Sequence, residues 1–396
     1  MDESEKRKIT WELILSKFTD DLWIEIFLRL PIKSLLRFKS VSKSWFSIIS
    51  SHRFAKSHLE TAPEDDEIFI AQHEVYHGIL LDSCFSLFHL DSWRVLRNLE
   101  FPYSQGEYPL ESVTSKLVGS DCGIVCVSVN LSYWPVSKKA FDIYLWNPAT
   151  QHSKLIPPYT IIPDNDLTIG TLGFGFDHID LDFKLVRVVC TLSTEIYSSN
   201  RNGWRTIESR PTDTPSRNGF HVFHGFLLAL GNNNNSMMAF NLNKEVFICD
   251  ITLPVGSFRD AESDVQTCIT DFMDTITVII PLLNKGIIKL WTLDDEACVC
   301  RGGVKASWTN VLSIDVGVPL LFVKGFLNSD QFLLIEQIMG DMFLCNWRSG
   351  VTTEVPTDPY VEIGEIFNYR KSMFSLVGFK RIKWEASFPR LQDSSD

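Results

Sequence analysis

Residues 18–60, FTDDLWIEIFLRLPIKSLLRFKSVSKSWFSIISSHRFAKSHLE, carry apolar side chains at helical spacing in excess of what so short a segment can bury by itself. Between Asp20 and Leu30 the polar stripe is Asp21, Glu25 and Arg29. Leu22, Ile26 and Leu30, then Trp23 and Phe27, then Ile24 and Leu28, fill the rest of the helix surface. A surface helix shows one apolar stripe, so this one needs covering on at least two sides. Thr19 is placed to cap its first turn, Asp20 and Asp21 sit where the helix dipole favours negative charge, and Pro31 stops it. Pro31 also suits the start of a second helix, with Ile32, Leu35 and Leu36 inward; a third, capped by Ser42, follows Val41 and carries Trp45, Ile48 and Ile49. The stretch therefore predicts three short helices. A core of roughly 40 residues without cysteine is usually insufficient on its own, and the surplus apolar surface predicts another chain.

The remainder reads differently. After a polar stretch, TAPEDDE at 61–67, helical spacing gives way to period-two runs broken by Gly, Pro, Asn and Asp. Candidate strands include Ile68–Ala71, Gly123–Val129, Asp142–Trp146, Thr171–Phe176, Phe183–Cys190, Met237–Asn241, Ile276–Ile280, Ile287–Thr292, Met342–Asn346 and Met373–Val377. A loose repeat selects the architecture. Tyr144-Leu145-Trp146-Asn147-Pro148, Ala239-Phe240-Asn241-Leu242 and Phe343-Leu344-Cys345-Asn346-Trp347 each lead through an Asn turn into a second strand and a proline exit. Ile196-Tyr197 to Gly203-Trp204-Arg205, and Leu290-Trp291 to Ser307-Trp308 with an inserted loop, look like degenerate copies. Asn147 to Asn241 is 94 positions and Asn241 to Asn346 is 105, so one intervening copy gives a period of about 47–52 residues, near that of a four-stranded propeller blade. The expected fold class is multidomain: a small three-helix all-α module, then a large all-β domain forming a β-propeller of roughly six or seven blades. The expected boundaries are a tail at 1–17, the helical module at 18–60, a linker at 61–67, the β-domain at 68–383 and a tail at 384–396.

Composition narrows the function. With 396 residues and 45% hydrophobic content the chain can bury a large core. No apolar run reaches the roughly 18 residues of a membrane span, and the N-terminus lacks a signal-peptide pattern, so a cytosolic or nuclear site is expected. Nine scattered cysteines read as small core residues of a reducing compartment. Residues 1–60 hold 11 Lys/Arg against 8 Asp/Glu, leaving 26 against 41 for residues 61–396. So acidic a β-domain disfavours nucleic acid; it reads either as a solvated acidic surface that keeps the protein soluble or as a face for a basic protein partner.

Residues 18–60 resemble an F-box, the helical module that docks on the Skp-type linker of cullin ubiquitin ligases. The resemblance rests on Pro31-Ile32-Lys33-Ser34-Leu35-Leu36-Arg37-Phe38 followed by Val41-Ser42-Lys43-Ser44-Trp45, which matches the plant version almost residue for residue. It implies that Phe18, Leu22, Ile26, Leu30, Pro31, Leu35, Leu36, Val41 and Trp45 form the linker-binding surface and its supporting core. The family usually opens with Leu-Pro where this chain has Phe18-Thr19. Further on, VGSDCGIVCV, YLWNPATQHSKLIPP, GTLGFGFD with FKLVRVV, and YSSNRNGWRTIE are similar to the F-box-associated domain of plant proteins. The order of the two modules resembles the S-locus F-box-like and F-box/kelch-like families, although a kelch-type double glycine occurs only at Gly302-Gly303. The resemblance implies a non-catalytic adaptor that reaches cullin and RING subunits through the linker and offers a protein substrate for ubiquitination, a self-incompatibility ribonuclease in the S-locus case.

Few residues suggest chemistry of their own. His73-Glu74-Val75-Tyr76-His77 matches the HExxH zinc-protease pattern, which needs a helix to bring both histidines to one metal. The flanking runs read as strands, which would hold residues 73 and 77 about 13 Å apart. His221 and His224 read as packed or surface histidines. Gly173-Phe174-Gly175 lacks the third glycine of a dinucleotide loop and reads as a strand with a bulge. Cys122 with Cys126, and Cys298 with Cys300, are each expected on one strand face, as core. The tryptophans at 146, 204, 291, 308 and 347 are expected at equivalent blade positions. No cofactor or metal is expected. A scaffold acting outside a ligase, and a metalloenzyme using His73, Glu74 and His77, stand as alternatives. Partner specificity is expected in loops such as Tyr103–Glu111, Pro211–Asn218 and Ser257–Asp264.

Overall fold

The computed structural model describes residues 19–61, 68–77, 80–89, 94–99, 110–133, 138–159, 170–189, 193–216, 219–232, 236–254, 267–282, 285–301, 305–317, 320–328, 331–336, 341–355 and 361–381. Both expected tails, most of the linker, Cys190, Gly302-Gly303, most of Tyr103–Glu111, all of Ser257–Asp264 and the last two residues of Pro211–Asn218 lie outside the described residues.

Helix α1 (Asp20–Leu28) starts where extended Thr19 accepts the Leu22 N–H on its hydroxyl at 3.5 Å, with Asp20 and Asp21 in the first turn. Pro31, itself extended, stands at the cap of α2 (Ile32–Phe38). Ser42 caps α3 (Lys43–Ser50) by accepting the Trp45 N–H at 3.1 Å. The structure then departs from the expected three helices: a fourth, α4 (His52–Thr61), follows after one residue. Ser51 breaks the run by turning extended, and its hydroxyl accepts the Phe54 N–H at 3.1 Å, capping the new helix. The four helices meet on Phe27, wholly buried, whose ring lies 5.1 Å from Trp45, 6.0 Å from Phe38 and 6.5 Å from Phe54.

The β-domain is a ring of antiparallel sheets. Strands β1 (Ile68–His77), β2 (Leu80–His89) and β3 (Arg94–Leu99) begin the first sheet. The second holds β4 (Leu110–Asp121), β5 (Ile124–Tyr133), β6 (Lys138–Asn147) and β7 (His152–Leu155); the third holds β8 (Thr171–Asp177), β9 (Asp182–Val188), β10 (Thr194–Ser198) and β11 (Gly203–Ile207). The fourth holds β12 (His221–Phe223), β13 (Phe226–Leu230), β14 (Ser236–Asn241) and β15 (Val246–Thr252). The fifth holds β16 (Cys268–Phe272), β17 (Thr275–Leu282), β18 (Ile287–Leu293) and, after the short helix α5 (Ala297–Arg301), β19 (Trp308–Asp315). The sixth holds β20 (Leu320–Asn328), β21 (Gln331–Glu336), β22 (Met342–Asn346) and β23 (Thr352–Val355). The chain then returns: β24 (Val361–Asn368) joins the first sheet beside β1, and β25 (Lys380–Arg381) adds a fifth strand outside β7.

The inner strands touch in sequence, β4 to β8, β8 to β12, β12 to β16, β16 to β20, β20 to β24 and β24 back to β4, so among the described residues five four-stranded sheets and one five-stranded sheet close into a β-propeller. Closure is a backbone zipper between chain-distant strands, with Phe69 opposite Asn368 and Val75 opposite Val361. The closing strand VEIGEIFN escapes the strand reading because acidic residues and a glycine dilute its apolar alternation.

The Asn repeat is real and structural. Asn147, Asn241 and Asn346 each end the third strand of a blade. Their Oδ1 atoms accept two successive N–H groups of the turn: Ala149 and Thr150 at 3.0 and 3.1 Å, Asn243 and Lys244 at 3.0 and 2.8 Å, Arg348 and Ser349 at 3.0 and 3.1 Å. An Asn side chain can mimic a backbone turn in this way, which is why it marks the hairpin in sequence. The two degenerate copies fall on the same hairpin, β10–β11 and β18–β19.

Four expectations are corrected. Gly173 and Gly175 lie in an unbulged strand, paired one-to-one from Thr171–Val188 to Asp177–Asp182; the glycines are needed because a Cβ would stand 2.7 Å from the Phe220 ring or 2.8 Å from Leu242 of the next blade. Cys122 occupies the β4–β5 turn at φ 48°, not the strand that buries Cys126. Cys298 and Cys300 lie on helix α5, the first buried and the second exposed. The tryptophans are not equivalent: Trp146 and Trp291 lie on third strands, Trp204 and Trp308 on fourth strands, and Trp347 in a turn. Only the fourth-strand pair share a role. The Trp204 and Trp308 indoles donate to the carbonyls of Pro157 and Thr252, at the exit of the preceding blade, at 2.7 and 2.8 Å.

Candidate functional site

Of the residues implied as a linker surface, Leu35 is wholly buried inside the helical module, and Leu30, Leu36 and Trp45 are half-buried around it. Leu22, Ile26 and Val41 remain 49%, 40% and 59% exposed, Pro31 is exposed, and Phe46, which the sequence reading passes over, is 55% exposed. Phe18 lies outside the described residues. Leu22 and Ile26, four apart on α1, form one stripe, while Trp23 and Phe27 turn inward, the Trp23 ring meeting Trp45 at 4.7 Å. Isolated exposed apolar residues are ordinary, but four large ones on a four-helix module mean that its covering is incomplete.

Elsewhere the module is covered by the chain's own propeller. Helix α4 reaches it with two polar side chains: His52 Nε2 donates to the Ser375 carbonyl at 3.1 Å and Lys56 Nζ to the His178 carbonyl at 3.4 Å. Phe27, Leu35, Ile49, Phe54 and Ala55 belong to one apolar cluster with Ile124, Leu145, Phe176, Met373 and Phe374. The expected strand at Met373–Val377 is thus not a strand but irregular chain wedged between module and blades. Beneath it, the Asp121 carboxylate accepts the Phe176 N–H at 2.8 Å, and burial pushes its pKa up.

Buried charge pins neighbouring blades together beside this junction. Lys184 Nζ bonds Asp177 at 2.9 Å and Glu245 at 3.1 Å and donates to the Leu242 carbonyl at 2.7 Å; Arg205 pairs with Glu245, and Asn243 Nδ2 reaches Asp177 at 3.1 Å. Burial alone would raise Asp177, but the bonds from Lys184, the Ile179 N–H and Asn243 outweigh it and hold this carboxyl below its ordinary value. Lys184 is raised for the complementary reason, Asp177 and Glu245 outweighing its desolvation. In the same blade Arg187 and Glu195 form a wholly buried pair with the Tyr159 ring 3.7 Å from the guanidinium.

The HExxH residues lie on β1, a strand, so the helix face that pattern requires is not formed. His73 Nε2 stands 3.1 Å from the Ser86 hydroxyl, with its pKa lowered by burial; the side chains of Glu74 and His77 lie outside the described residues. His221 is pushed down to about 4 by burial, and His224 forms an exposed pair with Asp274 at 2.8 Å.

A ring-closed propeller carrying an N-terminal four-helix module defines the class of protein. The family comparisons sharpen it. An F-box domain matches residues 15–57 and an F-box associated beta propeller domain matches residues 84–311. An F-box/kelch-repeat protein of Arabidopsis thaliana is 26% identical over 351 residues, covering 82% of this chain and 86% of that protein. F-box protein CPR1 of the same plant is 24% identical over 327 residues, 74% of this chain and 72% of its own length. Among solved structures, TolB from Acinetobacter baumannii matches 79% of this chain and 69% of its own at 10% identity, with a TM-score of 0.41. The chain belongs to the F-box proteins that bear an F-box associated β-propeller.

Proposed function

We propose that this protein is the non-catalytic substrate adaptor of a Skp-cullin-F-box ubiquitin ligase: the F-box docks the Skp-type linker, and the acidic propeller holds a protein substrate for ubiquitin transfer. The observation that carries the proposal is the uncovered apolar set Leu22, Ile26, Val41 and Phe46 on a module whose core is otherwise seated on the propeller. Completing the burial of a half-exposed side chain of this size is worth roughly 1 kcal/mol, so one partner covering all four gains several. The catalytic contribution is proximity, a substrate lysine held near ubiquitin on other subunits. The acidic excess of residues 61–396 favours a basic substrate; a self-incompatibility ribonuclease is one protein of that kind.

Co-purification of the full chain with a Skp-type linker and cullin, beside the variant Leu22→Asp/Ile26→Asp/Val41→Asp, tests the proposal. Retention of the complex by the wild type and its loss in the variant are expected. Equal retention by both rules out this docking face. Once a substrate is in hand, an affinity unchanged between low and physiological salt would contradict the charge argument.

A further inference from the structure

Residues 369–379, between the closing strand β24 and β25, form neither strand nor helix, yet Ser372, Met373 and Phe374 are buried. Their carbonyls, outside any sheet ladder, are taken by side chains from two directions. From the propeller, Asn147 Nδ2 donates to the Ser372 and Phe374 carbonyls at 3.1 and 2.9 Å, and Lys154 Nζ to the Val377 carbonyl at 2.7 Å. From the F-box, His52 donates to the Ser375 carbonyl at 3.1 Å, its ring edge-on to Phe374 at 5.8 Å. The far side of the Phe374 ring meets Phe176 and Phe183 at 5.0 and 5.3 Å. The fit is tight enough that a Cβ on Gly123 would stand 2.3 Å from the Ser372 hydroxyl and 2.6 Å from the Arg370 carbonyl.

We infer that residues 369–379 are a strap that fixes the F-box in one orientation on the propeller, with His52 and Phe374 as its positioning residues. One layered path of the junction passes through it, from F-box side chain to strap carbonyl and then to Asn147 or Lys154 on the second blade, beside the direct contact of Lys56 with the His178 carbonyl. Chain order adds a condition. The strap follows β24, so the F-box acquires its full seat only after the propeller ring has closed. The fixed orientation stands on these contacts alone. That it sets the reach between substrate and ubiquitin rests on the adaptor proposal.

The test is a distance distribution by pulsed electron resonance in the full chain, between spin labels at positions 21 and 311, both exposed. The labels are attached by non-cysteine chemistry because Cys300 is exposed. A single narrow distribution is expected for the otherwise wild-type chain. His52→Ala, which leaves the F-box core in place, is expected to broaden it at least about twofold, and Phe374→Ala to broaden it further. Lys56→Ala, which removes a contact outside the strap, is expected to broaden it less than His52→Ala. Should Phe374→Ala fail to fold, His52→Ala decides alone. A broad distribution in the wild type, an unchanged width in His52→Ala, or a larger effect of Lys56→Ala than of His52→Ala overturns the strap. The outcomes separate from those of the adaptor proposal: a narrow distance in a chain that binds no linker upholds the strap and sinks the adaptor.

Discussion

The F-box and the propeller handle apolar surface in opposite ways. The propeller closes on itself: each sheet packs on the next, β24 zips onto β1, and buried charges such as Arg187 and Glu195 are paired inside one blade. The F-box does not close. Its aromatic core around Phe27 is complete, but the module leans on residues 369–379 and leaves Leu22, Ile26, Val41 and Phe46 exposed to solvent. A module of this size gains its stability from what it touches, so substitutions in the two regions should register in different assays.

The largest effect on stability is expected inside the propeller. Glu195→Ala strands the buried Arg187 charge and should cost about 3–5 kcal/mol, read by denaturant unfolding. A loss below about 1 kcal/mol would mean that water reaches the pair. Next come two copies of one motif. Asn147→Ala removes the turn bonds and both strap bonds, for a loss of about 2–4 kcal/mol. Asn346→Ala removes the turn bonds alone, for about 1 kcal/mol. Equal losses would deny the strap its share. Ser42→Ala, removing the cap of α3, is expected to cost about 1 kcal/mol, with Thr retaining most of it.

Asp121→Asn concerns the junction and carries a sign. The folded state binds the Asp121 proton more tightly than the unfolded state, because burial raises this carboxyl. Its contribution is therefore fully present below the ordinary carboxylate range and is lost as pH rises through the raised value. The variant can still accept the Phe176 N–H and lacks this loss, so its melting temperature relative to wild type should climb as the pH rises above the ordinary carboxylate range. A flat difference contradicts the assignment.

How much of this was legible follows from which contacts are local. Helix caps at Thr19 and Ser42 and the Asn turns at 147, 241 and 346 involve partners two or three residues away, so the residue type announces them. Ser51 carries the same kind of signal for α4 but sits in a serine-rich run, where several residues could serve as cap. Met373–Val377 has strand composition and so reads as a strand; what keeps it irregular is side-chain capture by Asn147, Lys154 and His52, residues more than 200 positions away. Phe46 is not legible as exposed, because a residue next to Trp45 in an apolar run reads as core and only packing shows which of the two turns outward.

The smallest effect on stability belongs to Leu22→Asp/Ile26→Asp/Val41→Asp, since these side chains are exposed; its melting temperature should match wild type to within a few degrees. The same variant gives the most direct measurement, a calorimetric titration of the full chain with purified Skp-type linker. A one-to-one complex is expected for the wild type, weakened at least about a hundredfold in the variant. No binding by the folded wild type, or equal binding by the folded variant, would contradict the assignment of this face to the ligase linker.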